Sequence, residues 1–184
     1  MPVDMKNLIA EAFKKLVQQG DADKITVKSL IEECHISRQT FYYHFQDILD
    51  VIEWSMRRET QRLVEQSMKT QDMRAALQIF ISFTAQQFPL LEKLMNSQRR
   101  PQLEALMVDS METYLGQMAR YQAKDTEVPL SDMDRKVLLR YNACGLVGVL
   151  LVWGKENHSD EKRLAAQLER ILSGQITGWS HGQS

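Results

Sequence analysis

The chain has 184 residues, of which 43% are hydrophobic, and a formal net charge of −1 at pH 7. This length and composition fit one or two small soluble domains with hydrophobic cores, and the near-neutral charge excludes a strongly basic protein. Cys34 and Cys144 have no partner spacing, which argues against a disulfide framework and suits a reducing, cytoplasmic compartment.

The N-terminal segment predicts an amphipathic helix that ends at Gly20. Its apolar residues recur at helical spacing: Leu8, Ile9, Ala12, Phe13, Leu16 and Val17. Acidic residues occur in the same segment, so we expect a helix of a folded domain and no signal peptide.

Residues 25–46 predict two short helices joined by a tight turn, with a third helix after them. Thr26 is a typical N-cap for the first, and Ser37 for the second. The turn falls at residues 34–36, and Phe41 and Phe45 are four residues apart, so both would face the core. This layout is that of a helix-turn-helix DNA-binding domain, and we place such a three-helix domain at residues 1–47.

The second of these helices would present polar side chains to solvent. They are Arg38, Gln39, Thr40, Tyr43 and His44, all able to hydrogen-bond to base edges or phosphates. Residues 1–60 hold eight Lys and Arg against ten Asp and Glu, a net charge of −2, yet no carboxylate occurs between Cys34 and Gln46. We therefore expect moderate affinity for a two-fold symmetric site that a dimer binds.

A family resemblance rests on three motifs: Thr-Val at residues 26–27, Ile-Ser at residues 36–37 and Thr-Phe-Tyr-Tyr-His-Phe at residues 40–45. Their order and spacing match the family pattern without a gap. They resemble the DNA-binding domain of the TetR family of bacterial regulators. Two positions depart from that pattern. His35 replaces the turn glycine, which is tolerable because histidine adopts positive φ more readily than most residues. Ile48 replaces a lysine, which removes one phosphate contact and predicts a shallower salt dependence of binding.

The resemblance implies that the chain binds an operator in double-stranded DNA as a homodimer. The implied DNA-binding residues are Thr26, Lys28, Ser37, Arg38, Gln39, Thr40, Tyr42, Tyr43 and His44. Residues 38–42 followed by Trp54 are most similar to the subset that includes regulators of dihydroxyacetone kinase operons. An alternative for Tyr42 and His44 is that they only cap and pack the small three-helix core.

Residues 48–184 predict a second, helical domain for ligand binding and dimerisation, so that the whole fold is all-α with about nine helices. Residues 48–69 begin apolar and then turn polar, as expected of a helix that bridges two domains. Pro89, Pro101 and Pro129 predict helix boundaries, with helices at residues 72–88, up to 98, and 102–121.

Two consecutive apolar helices within residues 131–180 predict the dimer interface. Ser131 and Asp134 form a capping box, and residues 141–153 are almost wholly apolar, so this helix would be buried all round. A membrane span is the rival interpretation, but the apolar run falls short of the ~20 residues required, and we expect no membrane. Ser159 would cap the last helix, whose apolar stripe holds Leu164, Leu168, Ile171, Leu172, Ile176 and Trp179. Both helices would pack with the same pair of a second chain.

Aromatic and methionine side chains between the two ends predict an effector site. The candidates are Phe80, Phe83, Met107, Met111, Tyr114 and Tyr141. The family resemblance implies that an effector, a small molecule or a partner protein, binds there. Residues at helical spacing also form ordinary cores, and the sequence leaves that alternative open.

No catalytic, cofactor or metal motif occurs in the sequence. The phosphate-binding, dinucleotide-binding and serine-nucleophile patterns are missing, and the four histidines lack metal-ligand spacing, so we expect no enzyme, cofactor or metal. Two functions from different classes remain. The leading one is a TetR-type transcriptional regulator, and the alternative is an all-α protein-binding adaptor that has lost specific DNA binding.

Overall fold

The computed structural model describes residues 4–70, 72–122, 130–155 and 160–175. Within these ranges there are eight α-helices and one 3-10 helix, and no strand. The α-helices are α1 (Met5–Gln19), α2 (Val27–Cys34), α3 (Arg38–His44), α4 (Ile48–Ser67), α5 (Met73–Met95), α6 (Arg100–Gln122), α7 (Asp132–Lys155) and α8 (Glu161–Leu172). The 3-10 helix, Ala22–Lys24, lies between α1 and α2. The predicted all-α fold is therefore confirmed.

Side chains next to the helix ends fix the boundaries of α2 and α3. The Thr26 hydroxyl accepts a hydrogen bond from the Ser29 N–H at 3.1 Å, and the Ser29 hydroxyl accepts one from the Thr26 N–H at 3.0 Å. Ser37 Oγ caps α3 by accepting from the Thr40 N–H at 3.0 Å. Between these caps, His35 ends α2 in the left-handed conformation, with φ 53° and ψ 42°. The expected positive φ of His35 is thus confirmed.

The chain divides into two compact units, which are described separately. Unit 1 comprises Met1–Thr60 and Gln87–Ser110, and unit 2 comprises Gln61–Gln86 and Met111–Ser184. Helices α4, α5 and α6 each contribute residues to both units. The functional boundary placed between residues 47 and 48 stays a prediction.

Apolar side chains of α1 to α4 form much of the core of unit 1. Buried members are Ile9, Phe13, Val17, Leu30, Phe41, Phe45, Ile48 and Val51. The rings of Phe41 and Phe45 lie with centroids 6.2 Å apart, as their spacing predicted. Cys34, at the end of α2, is also buried, and burial, together with the nearby charge of Glu33, raises the pKa of its thiol. Cys34 therefore behaves as a small apolar core residue.

Helix α5 continues through Pro89, where the sequence predicted a helix end. Proline has no N–H to donate to the Ala85 carbonyl, and in a helix interior it costs about 3 kcal/mol. Phe88 before Pro89, and Leu94 and Met95 after it, are buried. Burial of each side chain of this size stabilises the folded protein by about 1.5–3 kcal/mol. Packing thus offsets the local defect, and the predicted boundary at Pro89 was wrong.

The other two prolines differ from Pro89. Pro101 lies in the first turn of α6, where a missing N–H costs nothing because the first amides of a helix have no intrahelical acceptor. Pro129 lies outside the described residues.

Helix α7 buries one face in unit 2 and exposes the opposite face. The buried residues are Ala143, Leu146, Val147, Leu150 and Gly154. The exposed face carries Met133, Val137, Tyr141, Cys144, Gly145, Gly148, Val149 and Val152. A Cβ added to Gly145 or Gly148 would meet no other atom within 4 Å. Within the single chain this helix is therefore buried on one face only, and the expected burial of its other face against a second chain stays a prediction.

By length and composition alone, α7 would also suit a membrane span, the one such helix among the described ranges. Two polar features mark its N-terminal half. The Asp134 N–H donates to Ser131 Oγ at 3.1 Å, which confirms the predicted cap. Arg140 pairs with Glu112 of α6 at 3.1 Å. A charged residue inside this helix that pairs with a neighbouring helix fits a protein surface in water better than a lipid environment.

Helix α8 is amphipathic and contacts α5 through polar side chains. Its buried residues are Leu164, Ala165 and Leu168, whereas Ile171 is exposed. The Asp160 side chain caps it by accepting from the Arg163 N–H at 2.9 Å. Arg74 of α5 pairs with Glu169 at 2.6 Å. Ser159, which was predicted as the cap, lies outside the described residues, as do Ile176 and Trp179.

Candidate functional site

Helix α3 presents a polar face to solvent. Phe41 within the helix and Phe45 at its end are buried in the core of unit 1 and fix its rotation. Within α3, four of the predicted DNA-binding side chains are exposed: Arg38, Gln39, Tyr42 and Tyr43, with Tyr43 84% exposed. The structure therefore brings these four residues together on one short, solvent-facing helix.

Arg38 stacks on Tyr42, one turn later in α3. The guanidinium carbon lies 5.5 Å from the centroid of the Tyr42 ring, and Nη2 donates to the tyrosine hydroxyl at 3.5 Å. This contact uses one of the five N–H donors of arginine and limits its rotamers. A planar guanidinium held in this way suits the two-donor recognition of guanine O6 and N7 in the major groove. Next to it, the rings of Tyr43 and half-buried His44 meet edge to face at 4.9 Å.

The other predicted contact residues are partly engaged in local structure. Thr26 belongs to the capping box of α2, and the hydroxyls of Ser37 and Thr40 lie 2.8 Å apart at the start of α3. Lys28 is exposed and pairs with Glu32, one turn later, at 3.8 Å. A solvent-exposed pair of this kind is weak, so Lys28 stays available to a phosphate group.

Ile48, which replaces the lysine of the family pattern, is the first residue of α4. Its side chain is buried in the core of unit 1, so this position offers no cation to a phosphate group. The two carboxylates on either side of it bond to the backbone. Asp50 accepts from the Gln46 N–H at 3.0 Å, and Asp47 accepts from the Asp50 N–H at 2.9 Å. These acids therefore serve the turn between α3 and α4.

A hydroxyl pair lies in the core of unit 2, among the predicted effector residues. Ser67 Oγ and the Tyr114 hydroxyl are 2.8 Å apart, and the tyrosine also donates to the Ala76 carbonyl at 3.4 Å. Ser67 is fully buried and Tyr114 is 3% exposed. The Phe80 and Tyr114 rings pack with centroids 5.1 Å apart. Sequence reasoning missed Ser67, although its position four residues after buried Leu63 places it on the apolar side of α4.

The remaining effector candidates are not all brought together. Met111 is buried and Phe83 is half-buried, both in unit 2. Met107 belongs to unit 1. Tyr141 is 76% exposed on α7, outside the core. Within the described ranges, no group of three or more histidine, cysteine or acidic side chains is placed to hold a metal.

Replacing Tyr114 with phenylalanine is expected to destabilise the protein by about 1–3 kcal/mol, because Ser67 Oγ then lacks its buried partner. The additional change Ser67→Ala removes the unpaired hydroxyl and is expected to recover part of this loss. Urea unfolding of both single variants and the double variant measures the coupling. Strictly additive losses would show that the hydrogen bond contributes nothing.

Tyr114 also predicts a loss of stability at high pH. Burial raises the pKa of its hydroxyl above the ordinary value of 10.0, against a smaller lowering by the bond to Ser67. The folded protein therefore retains this proton at pH values where the unfolded chain has released it. The stabilisation is present below pH about 10 and is lost as the pH rises through the folded pKa. Comparing urea midpoints of wild-type and Tyr114→Phe protein above pH 9 measures this, with the difference expected to shrink.

Comparisons with known proteins agree with this architecture. Residues 71–174 match the family model TetR_C_8, described as a transcriptional regulator C-terminal region. The chain is 23% identical over 171 residues to the HTH-type dhaKLM operon transcriptional activator DhaS of Lactococcus lactis subsp. lactis (strain IL1403), covering 93% of this chain and 90% of that protein.

Two solved structures share the fold. The dihydroxyacetone kinase operon activator DhaS superposes with a TM-score of 0.69 at 21% identity, covering 95% of this chain and 97% of that one. The fatty acid degradation regulator FadR from Bacillus halodurans gives 0.57 at 14% identity, covering 96% and 98%. The family model spans more than half of the residues, so the predicted family is confirmed: the chain belongs to the TetR family of transcriptional regulators.

Proposed function

We propose that this chain is a cytoplasmic, non-enzymatic regulator that binds an operator in double-stranded DNA as a homodimer, through α3 of each protomer. The exposed, carboxylate-free face of α3, with Arg38 stacked on Tyr42, is the observation that carries this proposal. The proposed DNA-binding residues are those expected from the sequence. Among them, Arg38, Gln39 and Tyr43 would face the bases. Thr26, Ser37 and Thr40 position the helices and face the phosphate backbone.

The exposed apolar face of α7 supports the homodimer. Gly145 and Gly148 carry no side chain, and no other helix of the protomer lies within 4 Å of the Cβ position at either glycine, so that a second helix could approach closely along them. Tyr141 and Val152 flank them on the same face. A contiguous apolar patch of this kind on a soluble protein marks an interaction surface. In our proposal, α7 and α8 of two protomers form a four-helix bundle.

An effector that binds unit 2 would change the affinity for DNA. The buried hydroxyls of Ser67 and Tyr114 and the Phe80 ring supply the polar and apolar contacts that a small molecule needs. The two structural relatives are named for a dihydroxyacetone kinase operon and for fatty acid degradation. Proteins of this fold thus carry names that refer to different processes, and we propose an effector in unit 2 without assigning its chemical class.

The first experiment titrates the purified protein with the intergenic DNA beside its own gene, at about 50 and 200 mM salt, with an unrelated duplex as competitor. Preferential binding to the intergenic DNA, stronger at low salt, is the expected result. Equal, weak binding to both duplexes would contradict the proposal.

The second candidate function is a protein-binding adaptor without useful DNA affinity. The net charge of −2 in residues 1–60 and the buried Ile48 favour it. A stable dimer that fails to bind either duplex at low salt would support this alternative over the regulator.

A further inference from the structure

The connection between α5 and α6 holds the C-terminal end of α1 within unit 1. The segment Lys93–Arg100 is referred to below as the α5–α6 corner. Lys93 Nζ donates to the Val17 carbonyl at 3.2 Å and to the Gln18 carbonyl at 2.7 Å. Carbonyls in the last turn of a helix lack intrahelical donors, and α1 has no basic residue in its own last turn. The Lys93 ammonium therefore supplies both the donor and the positive charge that favour this helix end.

Arg99 makes a similar contact with the 3-10 helix before α2. Its Nη1 donates to the Ala22 carbonyl at 2.8 Å and its Nη2 donates to the Ile25 carbonyl at 3.2 Å. The rigid fork of the guanidinium suits two acceptors at once. Asp23 lies 3.8 Å from Nη1 and also accepts from the Gln98 N–H at 3.0 Å. In all these bonds the α5–α6 corner donates and residues 17–25 accept.

The position of α2 depends on these contacts. Ile25, whose carbonyl Arg99 binds, directly precedes Thr26, the N-cap of α2. Helices α2 and α3 share the core of unit 1 through Leu30 and Phe41. Charge-assisted hydrogen bonds are about twice as strong as neutral ones. Two cations that bind the chain between the last turn of α1 and the residue before the N-cap of α2 therefore restrict where the helix-turn-helix segment begins.

We infer that Lys93 and Arg99 are positioning residues for DNA binding. They hold Val17–Ile25, and with it the start of α2, against the α5–α6 corner. This inference rests on the proposed function of α3, because the position of α2 affects DNA binding only if α3 recognises the operator.

The first test is hydrogen exchange of the full-length protein, followed by mass spectrometry. The variants Arg99→Met and Lys93→Met keep an unbranched side chain but remove the charge and the donors. Lys93→Arg retains both. Arg100→Met is the matched control, because the exposed Arg100 pairs only with Glu104 of its own helix among the contacts described here, at 2.8 Å. Peptides covering residues 17–30 are expected to exchange about tenfold faster in both methionine variants, and at the wild-type rate in Lys93→Arg and Arg100→Met.

The second test uses the DNA duplex selected by the titration above, with either the natural spacing of its half-sites or one inserted base pair. Wild-type protein is expected to bind the natural spacing about tenfold more tightly than the altered one. A loosened start of α2 tolerates both spacings, so this ratio is expected to fall toward one in Arg99→Met. A merely destabilised protein would lose affinity for both duplexes in proportion.

Unchanged exchange in residues 17–30 of both methionine variants would overturn the inference. So would an unchanged spacing ratio together with equal loss of affinity for both duplexes. If wild-type protein prefers no duplex, the proposed function has failed, and the exchange measurement alone then supports or overturns the attachment.

Discussion

Tyr141→Glu is expected to leave the protein monomeric and to abolish specific DNA binding. Tyr141 is 76% exposed in the single chain, on the apolar face of α7, so a glutamate there does not disturb the protomer. In the proposed four-helix bundle, symmetry would bury two such carboxylates, one from each protomer. An unpaired buried charge costs about 3–5 kcal/mol, so the dimer dissociation constant is expected to rise by at least about a hundredfold.

Sedimentation velocity over a range of protein concentrations measures this change. Tyr121→Glu is the matched control, because Tyr121 is also an exposed tyrosine of unit 2 but lies at the end of α6, outside the α7 face. The control is expected to remain dimeric. A Tyr141→Glu protein that dimerises as tightly as the control would show that α7 is not the dimer interface.

Arg38→Ala is expected to weaken specific DNA binding by about tenfold to a hundredfold while preserving the fold and the dimer. The side chain is exposed and contacts only Tyr42 among the interactions described, so the core of unit 1 is unaffected. A bidentate arginine–guanine contact contributes about 1–3 kcal/mol of discrimination against other bases. The variant is therefore expected to lose preference at one base pair of each half-site, which binding to a set of single-base operator variants would locate.

Arg57→Ala serves as the control for the loss of one positive charge. Arg57 is exposed on α4 and pairs with Glu53 of the same helix. The Arg57→Ala variant is expected to bind all duplexes slightly more weakly than the wild-type protein, by the same factor for each duplex. Retention of full operator affinity and preference by the Arg38 variant would refute the assignment of α3 as the recognition helix.

Tyr42→Ala adds a test of the stacking geometry. Without the ring, Arg38 keeps its charge but gains rotamer freedom, which lowers the affinity gained per hydrogen bond. We expect a smaller loss than in Arg38→Ala, and Tyr42→Phe is expected to retain most of the affinity because the ring remains. Titrations with the same DNA duplexes compare all three variants.

Local sequence features predicted the helix-turn-helix segment well because short-range contacts determine it. Thr26 and Ser37 cap helices within their own first turn, and Phe41 and Phe45 reach the core at a fixed four-residue spacing. His35 adopts its left-handed conformation within a single turn. Each of these features depends only on neighbours a few residues away, so the residue pattern contains the necessary information.

Features that depend on distant partners were not predictable in this way. The burial of Phe88 and Leu94 keeps α5 helical through Pro89, and nothing near Pro89 in sequence indicates it. Tyr141 has more apolar neighbours in sequence than Tyr114, yet Tyr114 is buried and Tyr141 is exposed. Only the rotation of each helix in the packed structure separates them. Likewise, Arg99 reaches a carbonyl 77 residues earlier in the chain.

The acceptors of Lys93 and Arg99 are main-chain carbonyls, at residues 17, 18, 22 and 25, and only Asp23 contributes a side chain. Main-chain carbonyls are present whatever side chains the segment carries. The exposed residues of α3 can therefore be substituted while residues 17–25 remain bound to the α5–α6 corner. If α3 recognises the operator as we propose, changes at its exposed residues are expected to alter operator specificity and to leave the attachment intact, provided that position 23 remains an aspartate.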